Sequence, residues 1–265
     1  SDSLSSLASG GNSTAKLNTI TGDDGDVAIT VSDSAFESSS ATLTAADLIA
    51  VGGATTGTVT VTNAIKISGN TTQLTNTLVS SSSSVTASSA LVTVSDAAFT
   101  TSSATIAATT LSDIGGKTSG TVTVTKAVKI TGATADLTNT LVSGSSLVVA
   151  GTALVTVSDD AFTTSSATIA ATALSDIGGK TTGAVTVTKA VKITGSTADL
   201  TNTMVSGSSS VTAGTALVTV SDAAFASSST AIAATDLSNI GGKTTGAVTL
   251  ANKVRLQGSQ SEVAT

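Results

Sequence analysis

No cysteine, histidine, proline, tryptophan or tyrosine occurs in this chain, and only four phenylalanines and one methionine are present. Each absence closes a class of chemistry. Without histidine and cysteine there is no Ser-His-Asp or Cys-His nucleophile and no zinc site of the usual kind. Without cysteine there are no disulfides, which leaves the compartment open. With almost no aromatic rings, a thick core is unavailable, whereas a thin core repeated many times is not. Charge is scarce as well, at 11% of residues against about 25% in an average domain. The net charge of −6 offers no basic stripe to displace counterions from nucleic acid phosphate or to hold an anionic membrane surface. No apolar run approaches the roughly 18 residues of a spanning helix, so neither nucleic acid nor membrane insertion is expected. Ser1 to Gly11 shows no basic stretch followed by an apolar one, so no signal peptide is legible.

What the chain does have is hydroxyl. It carries 43 Ser and 53 Thr in 265 residues, together with abundant Val, Ile, Leu and Ala. The β-branched content and a mean hydropathy of +0.40 separate it from a disordered chain. It also repeats. Phe36, Phe99, Phe162 and Phe225 are each 63 residues apart, as are the Val-Ser-Asp words ending at Asp33, Asp96, Asp159 and Asp222. Ile-Gly-Gly-Lys recurs at Ile114–Lys117, Ile177–Lys180 and Ile240–Lys243. Periods of this kind signal repeat architectures. The units run over residues 27–90, 91–153, 154–216 and 217–265, the last incomplete, with residues 1–26 as a degenerate or partial preceding unit. The array starts and stops out of phase, so it is expected to be a piece of a longer chain.

A weaker half-repeat within each unit suggests two coils of unequal length. Thr121–Thr125 alternates strictly, as a half-buried strand does, and residues 127–130 and 154–157 read as further short strands. Ala135–Leu141 places two leucines four apart behind a possible cap at Thr134, which suggests a helical turn or two. Thr110–Ile114 reads likewise, ended by Gly115-Gly116. The expected fold is therefore mostly β: a repetitive β-solenoid-like array with short helical turns, two coils to each 63-residue unit. The alternative is a string of small β domains, which at about 60 residues each without disulfide or metal would be marginal.

Asp176–Val187 (Asp-Ile-Gly-Gly-Lys-Thr-Thr-Gly-Ala-Val-Thr-Val) and Ile193–Leu200 (Ile-Thr-Gly-Ser-Thr-Ala-Asp-Leu) resemble repeats of very large secreted surface proteins of marine cyanobacteria and proteobacteria. The resemblance covers the chain from about Val27 onward. Such giants often accompany calcium-binding RTX modules and type I secretion, so the resemblance implies an extracellular or cell-surface setting. The RTX nonapeptide itself, Gly-Gly-x-Gly-x-Asp-x-apolar-x, is absent here, and its calcium chemistry is not carried over to these residues.

Few residues could carry chemistry. Glutamate occurs only at Glu37 and Glu262, which leaves little for a paired-carboxylate mechanism. Gly116-Lys117-Thr118 lacks the upstream glycine of a phosphate loop and reads as a helix end followed by a turn. The recurrent Asp33, Asp96, Asp159 and Asp222 read as turn formers that bond their own backbone; the sharper alternative is a set of Ca²⁺ ligands. Asp23, Asp24 and Asp26 form the most calcium-like segment, though without EF-hand spacing, and an acidic solvated turn is the plainer reading. Lys66, Lys129, Lys192 and Arg255 share one repeat position and form a row of like charge that discourages unwanted strand pairing, with an acidic glycan as the alternative target. Thr121, Thr123 and Thr125, with Thr186 and Thr188, project from one strand face and resemble the ice-binding faces of β-solenoid antifreeze proteins, although threonine is simply a good exposed strand residue. The phenylalanines are expected in the core. No enzymatic activity is expected. The function read from the sequence is a structural segment of an extracellular filament, stalk or surface coat that self-associates into a fibre or layer. An adhesin or ice-binding surface, or a viral tail-fibre segment, is the alternative.

Overall fold

Val-Thr-Val words build strands, but very short ones. In the computed structural model, which describes residues 1–37, 42–101, 105–145, 147–164, 168–207, 209–226 and 231–263, Val122–Val124 and Val185–Val187 bury both valines and turn the central threonine outward. That is the period-2 alternation of a sheet with one covered face. The strands pair in parallel and in strict register, valine on valine and threonine on threonine. Val122, Thr123 and Val124 lie beside Val92, Thr93 and Val94, and Val185, Thr186 and Val187 beside Val155, Thr156 and Val157. Parallel neighbours need a crossover connection, and helices supply it.

Those helices overturn the mostly-β expectation. The protein is an α/β fold with 32% helix and 24% strand, and its parallel sheets of three to five strands are flanked by helices; it is neither a β-solenoid nor a string of small β domains. The physical reason lies in segments read from the sequence as a helical turn or two. Ala108–Gly115 and Ala171–Gly178 are eight-residue helices. The first buries Ala108, Leu111, Ile114 and Gly115 on one stripe, the i, i+3 spacing of an amphipathic helix. Ala45–Ala54 is longer still and is capped by Thr44, whose Oγ1 accepts the Asp47 N–H. The strands, by contrast, are two to four residues long, so helix outweighs strand.

The second helical segment is of mixed type. Thr71–Leu74 is α-helical and runs straight into a π-helical turn at Thr75–Val79. The same pairing of α and π turns recurs at Thr197–Leu200 and Thr201–Val205. A π turn shifts the amide donors by one residue and leaves a carbonyl without its usual partner. Thr77 and Thr203, both fully buried, fill that gap. The Thr203 hydroxyl lies 2.8 Å from the Asp199 carbonyl and 2.9 Å from the Ala171 carbonyl. It thereby ties the π turn to the first residue of the neighbouring Ala171–Gly178 helix.

Thr-x-Gly marks the tightest corner between successive segments. Thr181 is buried, and its hydroxyl donates to the Ala153 carbonyl at 2.6 Å while accepting the Gly183 N–H at 3.0 Å. A Cβ on Gly183 would stand 2.2 Å from that same carbonyl oxygen. Only glycine lets the two backbones meet here.

Two compact units make up the chain: Ser1–Val128 with Asn139–Ala150, and Lys129–Thr138 with Gly151–Thr265. In the first, a five-stranded parallel sheet runs in the order Val148–Val149, Val122–Val124, Leu91–Val94, Lys66–Gly69, Leu43–Thr44. Its N-terminal stretch is built differently from the repeats. Ala8–Ser9 and Asn12–Ser13 pair antiparallel around Gly10 and Gly11, both at positive φ. The helix Ala15–Asp23 follows and buries Leu17. In the second unit, Lys129–Gly132, Leu154–Val157, Val185–Val187 and Val211–Thr212 succeed one another in one sheet, while Ile169–Ala170, Lys192–Gly195, Leu217–Val220 and Val248–Leu250 form another.

Candidate functional site

The recurrent aspartates sit at helix starts. Asp96 reaches back 25 residues to Thr71, accepting its N–H at 2.7 Å and its hydroxyl at 2.9 Å. Asp159 takes the N–H and hydroxyl of Thr134, both at 2.7 Å, and Asp222 does the same for Thr197. Asp33 accepts the Leu4 N–H at 2.6 Å. Asp96, Asp159 and Asp222 each follow a Val-Thr-Val strand and Asp33 follows Ile29–Val31, so the strand fixes the carboxylate against the first turn of a helix packed beside it. The first N–H groups of a helix have no partner inside it, and a carboxylate there is favoured by both hydrogen bonding and the helix dipole. The sequence reading had these residues bonding their own local turns. They bond instead to a segment 25 to 29 residues earlier, and so link successive strands and helices.

Asp23, Asp24 and Asp26 lie apart from these four, exposed at and just beyond the end of Ala15–Asp23. The Asp26 N–H reaches the Asp24 carboxylate at 3.4 Å. The Asp26 carboxyl is held above the usual range by its hydrogen bond with Asp24 and by the repulsion of that neighbouring charge. The seven aspartates singled out as calcium ligands are thus not brought together. Among the described residues, no group of three or more His, Cys, Asp or Glu could hold a metal ion.

The phenylalanines are not core residues. Phe36, Phe99 and Phe162 are half-buried, and Phe225 is 47% exposed. The backbone at each ring is pinned to a later segment, as where the Phe162 N–H donates to the Ala190 carbonyl at 2.9 Å. The lysine row explains what the rings do. The Lys66 ammonium lies 5.1 Å from the centre of the Phe36 ring, and Lys192 stands at the same distance from Phe162. This is a cation–π pairing, a role that a 63-residue period alone could not single out because every position shares the period. The core is aliphatic throughout, with Leu111, Ile114, Ile130, Leu174, Ile177 and Ile193 among its fully buried side chains.

The threonine ranks are in register. Thr156 lies beside Thr186, and Thr186 beside Thr212. Thr219 lies beside Thr249, with their hydroxyls 3.3 Å apart. Thr188, read with them, instead spends its hydroxyl on the Val157 carbonyl at 3.3 Å. Lys117 and Lys180 follow the C-cap glycines Gly116 and Gly179, and their N–H groups close a turn onto the Ile114 and Ile177 carbonyls.

Comparison with protein-family models, with curated proteins and with solved structures finds no match. Nothing found supports the extracellular filament read from the sequence, and the α/β architecture is at odds with the β-solenoid that reading assumed. No helix among the described residues is long and apolar enough to cross a membrane.

Proposed function

We propose that this chain is a structural, non-enzymatic repeat segment, a scaffold whose units hold one another in place. The observation that supports it most is the use made of the polar side chains. The recurrent aspartates and the buried threonines are spent on backbone groups of adjacent segments. A carboxylate committed to two donors is poorly placed to act on a substrate, and a hydroxyl bonded to two carbonyls is not a free nucleophile. In a repeat scaffold, stability accumulates from neighbour contacts, which is what this distribution of hydrogen bonds provides.

The test compares the chain with a version lacking residues 154–216, one whole period. A thermal-shift screen over nucleotides, divalent cations and sugars is run on both. The scaffold reading expects a cooperatively folded shortened chain of lower stability, and no ligand that shifts either melting temperature. A ligand that raises the melting temperature of the full chain by several degrees, with a saturable dose response, would refute it.

A further inference from the structure

Residues 91–153 and 154–216 differ at eight positions, and four of these fall in one short stretch. Ala133, Leu141, Leu147 and Val149 stand where the later period has Ser196, Met204, Ser210 and Thr212. Ala133 lies at a helix start. The matching helices of the neighbouring periods carry a capping box there. Asn70 accepts the Gln73 N–H and Ser196 accepts the Asp199 N–H, while the Gln73 and Asp199 side chains accept the N–H groups of Asn70 and Ser196 in return. Ala133 makes no side-chain bond at Thr134–Leu137. That start is held by Asp159, through the Thr134 N–H and hydroxyl, whereas Asp96 and Asp222 share theirs with the box.

Leu147 lies beyond the π turn. Ser84, Leu147 and Ser210 share a left-handed backbone, at φ 51, 53 and 51, the region least suited to a bulky side chain. Their carbonyls accept the N–H groups of Val59, Val122 and Val185 at 2.8, 3.0 and 3.0 Å. The period without a capping box is therefore also the one that holds a leucine in this strained turn.

We infer that Thr134–Val142, together with the short strand Val148–Val149, is a built-in opening point of the scaffold. It unfolds locally while the matching segments, Thr71–Val79 with Val85–Thr86 and Thr197–Val205 with Val211–Thr212, stay closed. A missing cap and a strained turn both lower the free energy of such an opening, and proteins open first where local stability is least. Opening withdraws Val148–Val149 from Val122–Val124 and so frees a parallel strand edge inside the array. It also brings Leu137 and Leu141, both buried in the closed state, into water. Because repeat stability is a sum of local and neighbour contributions, the other periods remain folded, and a scaffold so built yields first at a defined place.

Native-state amide hydrogen exchange of the full chain, read by mass spectrometry, tests this. The three segments differ in sequence, so their peptides are told apart by mass. Amides of Thr134–Val142 should exchange at least about fivefold faster than those of Thr71–Val79 and Thr197–Val205, the factor that one cap represents. The double variant Ala133→Ser, Leu147→Ser gives this stretch the residues of the later period, and should slow its exchange to within about twofold of Thr197–Val205. The reverse change, Ser196→Ala, should speed exchange at Thr197–Val205 about fivefold. Each substitution uses a residue that the chain already holds at that repeat position, and circular dichroism checks that the fold is retained. Equal exchange in the three segments of the unaltered chain overturns the inference, as does a double variant that exchanges as fast as the unaltered chain. The comparison is made between segments of one chain, so its outcome is separate from that of the ligand screen on which the scaffold reading stands.

Discussion

Asp159→Ala should cost more than the same change at Asp96 or Asp222, although the three aspartates share one repeat position. The difference lies in the helix each one caps. At Thr71–Leu74 the N-cap Asn70 accepts the Gln73 N–H at 2.8 Å, and Gln73 accepts the Asn70 N–H at 3.0 Å. At Thr197–Leu200 the N-cap Ser196 accepts the Asp199 N–H at 3.1 Å. At Thr134–Leu137 the N-cap is Ala133, which makes no side-chain bond. Asp159 is therefore the side-chain acceptor on that helix start, and its removal strands both donors of Thr134. Losing a cap costs about 1 kcal/mol, and a hydrogen bond to a charged group contributes about 1.5–3 kcal/mol. Since Asp159 and Thr134 are half-buried, water replaces part of this, leaving about 2 kcal/mol for Asp159→Ala and about 1 kcal/mol for Asp96→Ala and Asp222→Ala. Urea denaturation followed by far-UV circular dichroism gives the ranking. Amide hydrogen exchange at Thr134–Leu137 localises the loss. Ala133→Ser should recover about 1 kcal/mol in the Asp159→Ala background. Equal losses at all three aspartates, with no recovery from Ala133→Ser, would show that the N-cap side chains do not offset the loss of the carboxylates.

Gly183→Ala puts a methyl 2.2 Å from the Ala153 carbonyl oxygen and should lower stability by about 3 kcal/mol, whereas Gly214→Ala, with nothing within 4 Å, should be neutral or slightly stabilising; melting temperatures of the two variants decide. Leu147 and Ser210 are held at φ 53 and 51, where a side chain costs about 1–2 kcal/mol, because their carbonyls accept the Val122 and Val185 N–H groups at 3.0 Å. Leu147→Gly and Ser210→Gly should each raise the melting temperature, and a fall would mean that side-chain contacts outweigh the strain. For Asp26 the folded carboxyl titrates above its unfolded value, because of Asp24. Its contribution to stability is then present below the unfolded pKa and lost as pH rises through the folded one. Asp26→Asn should accordingly raise the melting temperature at pH 7 and leave it unchanged at pH 3, and equal shifts at both would exclude charge repulsion as the cause.

The period and most of the strands were legible in the sequence, because repetition and alternation are properties of the residue order itself. The four recurrent aspartates were visible for the same reason, but their role was not, because a repeat makes every residue co-periodic with every other. Nothing in the order distinguishes Thr134, the partner of Asp159, from any other threonine 63 residues from its copies. The helices were under-read for a different reason. Ala108–Gly115 carries two threonines and a serine, residues that compete with the helix backbone, and its N-cap is an alanine without a side-chain bond. Its helicity comes from seating Leu111 and Ile114 against neighbouring segments, a tertiary effect that local propensity does not report. The phenylalanines failed as core predictors because hydrophobicity was counted without the cation that shares their neighbourhood. Lys66 and Lys192 lie over Phe36 and Phe162, and an aromatic that serves a cation must stay near water. Strand signals are local and survive in a chain of this composition, whereas caps, crossovers and ring contacts are made between segments about 25 to 30 residues apart and become visible only when those segments are brought side by side.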